Sequence, residues 1–449
     1  MTSDPHDRGT AGNRRRRGNP PEERGAYVWA WLPRQPSPVV AGRVVLQGGR
    51  YSFAYGRSYR ERPNAIPLYL PELPIAEFLI DPPDGMDMAG CLRDALPDAW
   101  GRRVILNRIA VREARDTGQL DEVTYMLESG SDRIGALDFQ RSATDFVGRD
   151  PENASLEELL TAADRIERDI PLTPGLERAL LHGSSIGGAR PKAGIEDTQN
   201  KYVAKFSASN DTYAVVKAEF IAMRLARLAG LGVADVRLET ALGKDVLLVR
   251  RFDRERLEEE GGARWARRMM VSGLTILGLD EMMARYASYQ QLTDIVRLRF
   301  AEPKRTLREL FGRLVFNVLV GNTDDHARNH AAFWDGRMLN LTPAYDICPQ
   351  PRTGREASQA MTILDIRRES RLELCLEAAP KFLLDREQAI AIVRDQIAAI
   401  VENWREICSA AGLEEAGRRF FWRRQFLNPS IFYGTEDLFA PELDVLERA

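Results

Sequence analysis

The sequence predicts an α+β chain: a β-rich N-terminal part, then a second half with a small β-rich lobe and a large helical lobe. Three observations carry this. Aromatic and apolar runs of strand character recur between Tyr27 and Tyr55. A Gly-rich segment and several short strand-like runs fill residues 183–249. Beyond Asp253 helical periodicity dominates, best where Leu307, Leu310, Phe311, Leu314, Val315, Val318 and Leu319 share one face.

Residues 27–32, 39–46 and 51–55 read as an antiparallel meander, with Gly48 and Gly49 making a turn. The run LRDALPDAWGRR, residues 92–103, leads into a helical period over 104–114. Polar residues 145–153, with Gly148 and Pro151, mark a boundary. Ser155 opens a helix, and Glu158 three residues later completes a capping box. A strand at 202–206 precedes a helix over 213–228, with Val216, Phe220, Met223 and Ala226 at helical spacing. Gly230 and Gly232 end that helix. Strands follow at 236–238 and 246–249. These seams divide the chain into a disordered basic tail (1–25), a β-rich N-terminal subdomain (26–150), a small-lobe region with the Gly-rich loop (151–255) and a helical lobe (256–449).

The 449 residues suit two or three domains, and 44% hydrophobic with 29% charged residues is ordinary for a globular protein. A formal net charge of −3 argues against nucleic-acid binding by the whole chain. Arg14, Arg15, Arg16 and Arg17 stand in a tail that no apolar run follows, unlike a secretion signal. No apolar stretch is long enough to span a membrane. Cys91, Cys348, Cys375 and Cys408 form no framework, so the reducing cytoplasm is the expected compartment.

Phosphoryl transfer asks a protein to hold phosphates, hold a divalent metal and offer a carboxylate to the attacking hydroxyl. Four segments supply these in order. The Gly-rich loop contains Gly187, Gly188 and Ala189, where backbone N–H groups can approach phosphate oxygens, and Arg190 and Lys192 add charge. By itself the loop is neither G-x-G-x-x-G nor a Walker A sequence. Lys205 stands alone in an apolar strand and needs a partner, for which Glu219 in the next helix is the candidate. Asp324 and Asn329 have the D-x-x-x-x-N spacing of a kinase catalytic loop. Asp346 follows a β-hairpin signalled by Asp335-Gly336, in the place of a kinase's metal-binding aspartate.

Together SIGGARPK (185–192), VRRFD (249–253), NTDDHARN (322–329), LTPAYD (341–346) and LPDAWGR (96–102) resemble the HipA kinase family. The resemblance implies a bilobal protein-kinase-like fold and an ATP- and Mg²⁺-dependent serine/threonine protein kinase. It implies that Asp324 is the catalytic base, that Asn329 and Asp346 bind Mg²⁺, and that Lys205 holds phosphates. Arg250, Arg251 and Phe252 match the hinge that meets adenine, and His326 joins the nucleotide-binding set. Ser185 matches an autophosphorylation site that ejects the loop and silences the enzyme; Ser184 beside it is the alternative. Family toxins act on aminoacyl-tRNA synthetases and are restrained by HipB-type helix-turn-helix antitoxins, which supply most of the DNA contact. The sequence departs from the pattern in its G-G-A-R-P-K loop, in Arg250 where some relatives have an acid, and in its long tail.

Other readings are a small-molecule phosphotransferase with the same machinery and a non-catalytic scaffold in antitoxin and DNA complexes. A metallohydrolase using His326 and His330 is disfavoured, because Ala327-Arg328-Asn329 between them supplies no glutamate base and an arginine repels a cation.

Overall fold

A computed structural model describes residues 24–448, apart from 114–119, 150–153, 181–184, 210, 260–261, 353 and 355. Residues 1–23 of the basic tail and Ser184 lie outside the described residues, whereas Gly25, which the sequence reading placed in the tail, opens the first strand.

The N-terminal region is a four-stranded antiparallel sheet. Gly25–Ala30 lies between Val39–Gln47 and Leu137–Gln140, with Arg50–Tyr55 on the outer edge. Val28, Val44, Phe53 and Phe139 alternate onto its buried face. A second antiparallel sheet runs in the order Lys192–Glu196, Lys201–Phe206, Lys244–Arg250, Val236–Ala241. Against it packs the helix Leu156–Glu167, whose Leu159, Leu160 and Ile166 meet Tyr202, Phe206 and Val246. The capping box forms: Glu158 N–H donates to Ser155 Oγ, and Ser155 N–H donates to the Glu158 carboxylate. Helix Val215–Leu228 ends before Gly230, whose φ of +82° reverses the chain.

The helical lobe is built on Pro303–Leu319, with all seven expected face residues buried, and on the long helix Arg386–Ala410. Its small sheet, Met270–Ser272 with Ala331–Trp334 and Leu339–Leu341, turns at Asp335-Gly336, where Gly336 has φ +97°.

Helical structure does not begin directly after Asp253, as the periodicity suggests. A β-hairpin, Arg254–Glu259 with Gly262–Arg267, and then the Met270–Ser272 strand come first. The hairpin's buried positions include Arg254 and Arg267, so a search for alternating apolar residues passes over it.

Those arginines belong to a buried charge cluster that bolts the N-terminal region to the second half. Asp132 pairs with Arg251 at 3.1 Å and Arg254 at 2.8 Å, and Asp253 pairs with each at 2.7 Å. Arg251 also donates to the carbonyls of Asp132 and Arg133, and Gly135 N–H donates to Asp253. Burial works against the Asp253 carboxylate, but Arg251 and Arg254 outweigh it and bring its pKa down to about 2. Burial and the neighbouring Arg254 push Arg267 down to about 9.

Candidate active site

A cleft of about 1190 Å³ opens between the two lobes, and its third wall comes from the N-terminal region through Tyr51, Met86, Pro97 and Asp98.

Lys205 sits on the inner strand Lys201–Phe206, flanked across the ladder by Lys192 and Leu247. Its ammonium lies 2.5 Å from Glu219 on helix Val215–Leu228 and is also ion-paired to Asp346. One cation thus joins strand, helix and the segment after the hairpin. Burial disfavours the Lys205 ammonium, yet Asp346 and Glu219 hold its pKa above the usual lysine value. Burial likewise works against the Asp346 carboxylate, and Lys205 and Lys192 overcome it, keeping the group well below the ordinary range. Burial raises Glu219. Asp346 has φ +59°, a left-handed backbone that aspartate tolerates better than most side chains.

The segment carrying Asp324 and Asn329 leaves helix Pro303–Leu319 through Gly321 (φ +69°), where a Cβ would stand 2.6 Å from the Gln425 carbonyl oxygen. Asn329 Nδ2 donates to the Asp324 carbonyl at 3.1 Å, closing the loop over a short 3₁₀ turn, Ala327–Asn329. The two adjacent acids face opposite ways. Asp324 is exposed in the cleft. Asp325 is buried beneath the loop, accepting from Tyr289 Oη and joined to His330 Nε2 at 2.8 Å. Burial and the nearby Asp346 and Asp325 raise Asp324, against His326. Burial raises Asp325 less than His330 and Tyr289 lower it. His326 lines the cleft and acts electrostatically on both Asp324 and Asp346. His330 is committed to Asp325, so the two histidines do not converge.

In the Gly-rich loop, Ala189 is exposed at the tip. Arg190 is held bidentately by Asp211 at 2.5 Å, and Lys192 donates to the Gly187 carbonyl at 2.5 Å. Burial and neighbouring Lys205 bring the Lys192 pKa down to about 8. Gly188 has φ +108°, and a Cβ there would collide with the Lys192 ammonium. Ser185 is 2% exposed and its Oγ finds no hydrogen-bond partner among the described residues. At the hinge, Arg250 turns to Asp235 at 3.2 Å and Arg251 to the charge cluster. Main chain and Phe252, which packs on Phe333 and Tyr345, remain for the cleft.

The donors suited to a metal are the carboxylate of Asp346 and the amide oxygen of Asn329. Both are hard oxygen ligands, and Lys205 keeps the carboxylate ionised. Among the described residues no group of three or more His, Cys, Asp or Glu forms a metal cage. Such a pair fits Mg²⁺ shared with phosphates rather than a closed protein site. Sequence reasoning left Asp98, Arg328 and Tyr289 without roles. The LPDAWGR motif was the available signal for Asp98, and nothing marked Tyr289.

Family models match both halves of the chain: HipA N-terminal domain over residues 37–140 and HipA-like C-terminal domain over 184–404. The chain belongs to the HipA family. A Sinorhizobium fredii relative bearing the kinase name Y4mE is 24% identical over 394 residues, covering 81% of this chain and 89% of its own. The serine/threonine-protein kinase toxin HipA of Shewanella oneidensis is 25% identical over 185 residues, 36% of this chain and 42% of its own. The solved HipA of Shewanella oneidensis MR-1, in a complex with HipB and operator DNA, superposes with a TM-score of 0.67 at 18% identity, covering 94% of this chain and 99% of that one. The HipA fold, bilobal and protein-kinase-like, is therefore the fold of this chain. No helix among the described residues is long and apolar enough to cross a membrane.

Proposed function

We propose that this HipA-family chain is an ATP- and Mg²⁺-dependent serine/threonine protein kinase. The observation that carries the reading is the double pairing of Lys205 with Glu219 and Asp346 in the lining of a cleft that also exposes Asp324. A strand lysine paired to a helix glutamate is the arrangement that positions the α- and β-phosphates in kinases. Asp346 and Asn329 would hold Mg²⁺, which would supply charge neutralisation to the transferring phosphoryl group. Asp324 accepts the proton of the substrate hydroxyl, and its raised pKa suits a base that must take up and release protons. The hinge main chain and Phe252 receive the adenine.

The family supports finer proposals. The substrate is a translation-related protein, an aminoacyl-tRNA synthetase in class, whose modification arrests growth in the cytoplasm. A HipB-like antitoxin is the partner and makes most of the DNA contact. Modification of Ser185 shuts the enzyme off. Ser185 is buried, and a phosphate of about −1.5 to −2 charge is costly to bury, so the loop would have to leave its place.

The test is transfer from radiolabelled ATP into a lysate, with the labelled protein identified by mass spectrometry. Wild type should label a discrete protein, and Asp346→Asn should lose both transfer and Mg-dependent ATP affinity by calorimetry. Unchanged affinity and turnover in that variant would refute the metal assignment.

A further inference from the structure

The Gly-rich loop is held by a carboxylate 90 residues earlier in the chain. Asp98 stands directly before helix Ala99–Glu113, and its Oδ2 accepts from Gly188 N–H at 2.6 Å. Its Oδ1 lies 3.5 Å from Arg328 Nη1, in the catalytic loop between His326 and Asn329. Two residues on, Trp100 N–H donates to the Gly188 carbonyl at 3.2 Å and Trp100 Nε1–H to the Lys192 carbonyl at 2.9 Å. Trp100 is 2% exposed, so its ring is a fixed anchor. The turn itself is stiffened by Arg102, which donates to the Pro97 carbonyl and pairs bidentately with Glu122.

A separate observation concerns the glycines. A Cβ on Gly187 would meet Asp98 Oδ2 at 2.8 Å, and the other atom it would meet is Asp98 Cγ at 3.5 Å. Gly187 is thus small because the Asp98 carboxylate comes so close. Arg328 in turn is held by Glu281 and gives its carbonyl to Tyr345 Oη at 2.6 Å, next to Asp346. The Asp98–Trp100 turn therefore touches the loop of the small lobe and the catalytic loop of the large lobe at once.

We propose that Asp98 is a positioning residue of the active site, tying the Gly187–Gly188 turn to Arg328 and so setting how the phosphate loop stands over the catalytic loop. This rests on the kinase reading for its kinetic consequence but not for the tie itself. Asp98 acts through the loop and through Arg328; it is not assigned a contact with the reacting atoms.

The experiment uses the full chain as wild type, Asp98→Ala, Asp98→Asn and Trp100→Phe. Two readouts are taken: hydrogen exchange of the Gly188 amide and steady-state kinetics with Mg·ATP. Loss of a charge-assisted hydrogen bond should speed Gly188 exchange and raise KM for ATP in Asp98→Ala by about tenfold or more, with a smaller fall in kcat. Asp98→Asn keeps an acceptor oxygen and should recover most of the amide protection. Trp100→Phe should loosen the Lys192 end with less effect at Gly188. If Asp98→Ala does not fold, Asp98→Ser, whose hydroxyl is too short to reach the Gly188 amide, takes its place, and wild-type Gly188 exchange in whichever of the two folds would overturn the tie. A fall in KM in Asp98→Ala would also overturn it, since that marks a carboxylate competing with phosphate. A wild-type chain that binds no Mg·ATP refutes the kinase reading while the exchange measurements still decide on the tie.

Discussion

Changing Asp132 to asparagine tests whether the N-terminal region is structurally inseparable from the hinge. The side chains of Arg251 and Arg254 are each 1% exposed, and Asp132 is paired with both. Asp253 is the second carboxylate serving the same two guanidinium groups, with Arg267 buried close by. Asp132→Asn keeps shape and an acceptor oxygen but deletes one of the two charges. Removing one partner of a buried pair typically costs about 3–5 kcal/mol, and the retained hydrogen bonding puts the expectation near the lower end, about 3 kcal/mol. The control is Glu61→Gln in the exposed pair Arg57–Glu61, where surface pairs contribute about 0–1 kcal/mol. Urea unfolding followed by fluorescence and by circular dichroism compares the two. A destabilisation under about 1 kcal/mol in Asp132→Asn would show that water or rearrangement screens the cluster, and that the bolt is not one.

Asp324→Asn should lower transfer by about 10²–10⁴-fold with ATP affinity intact, whereas Asp325→Asn should chiefly lower stability; calorimetry and thermal unfolding separate the two. Above pH 8 the Lys192 ammonium, depressed to about 8, gives up its proton, so kcat/KM for ATP should fall as pH rises through about 8 and Lys192→Arg should flatten that limb. The folded pKa of Asp253 is depressed from 3.8 to about 2; its stabilisation is therefore fully present above pH 3.8 and lost as pH falls toward 2, which acid titration of the folded state in wild type and Asp253→Asn checks. Phosphopeptide mapping after prolonged incubation with Mg·ATP should find Ser185 modified and activity reduced; an unmodified loop in an active enzyme removes self-inactivation.

Much of the site was legible because its chemistry is written in short segments. The spacing of Asp324 and Asn329, the lone Lys205 in an apolar strand and Asp346 after an Asp-Gly hairpin are all local patterns. The ion pair between Lys205 and Glu219 followed from the cost of burying a lysine alone. What spacing does not encode is orientation. Asp324 and Asp325 are equivalent as letters, and Tyr289, thirty-six residues earlier, is among the groups that hold Asp325 under the loop. Arg190 and Lys192 looked like free phosphate ligands, but each has a protein partner, one of them supplied by distant Asp211. The strands were readable where their inner faces are apolar. The hairpin that begins with Arg254–Glu259 was not, because arginines fill buried places where Asp132, Asp253 and backbone carbonyls meet them.

That arrangement also bears on the order in which the chain takes shape as it is synthesised. The first sheet is complete once Leu137–Gln140 has paired with Gly25–Ala30, so it has all its strands early. Its carboxylate at Asp132 and the open carbonyl of Arg133 then wait for guanidinium groups more than one hundred residues downstream, Arg251 and Arg254. Until those arrive, the stretch around Asp132 is a hydrated, polar surface. N-terminal units fold first during synthesis, and exposed apolar surface is what makes such intermediates aggregate. The charged part of that seam can stay hydrated in the early region and still lock to the later one when its arginines emerge, beside an apolar part in which Tyr69 meets Trp334.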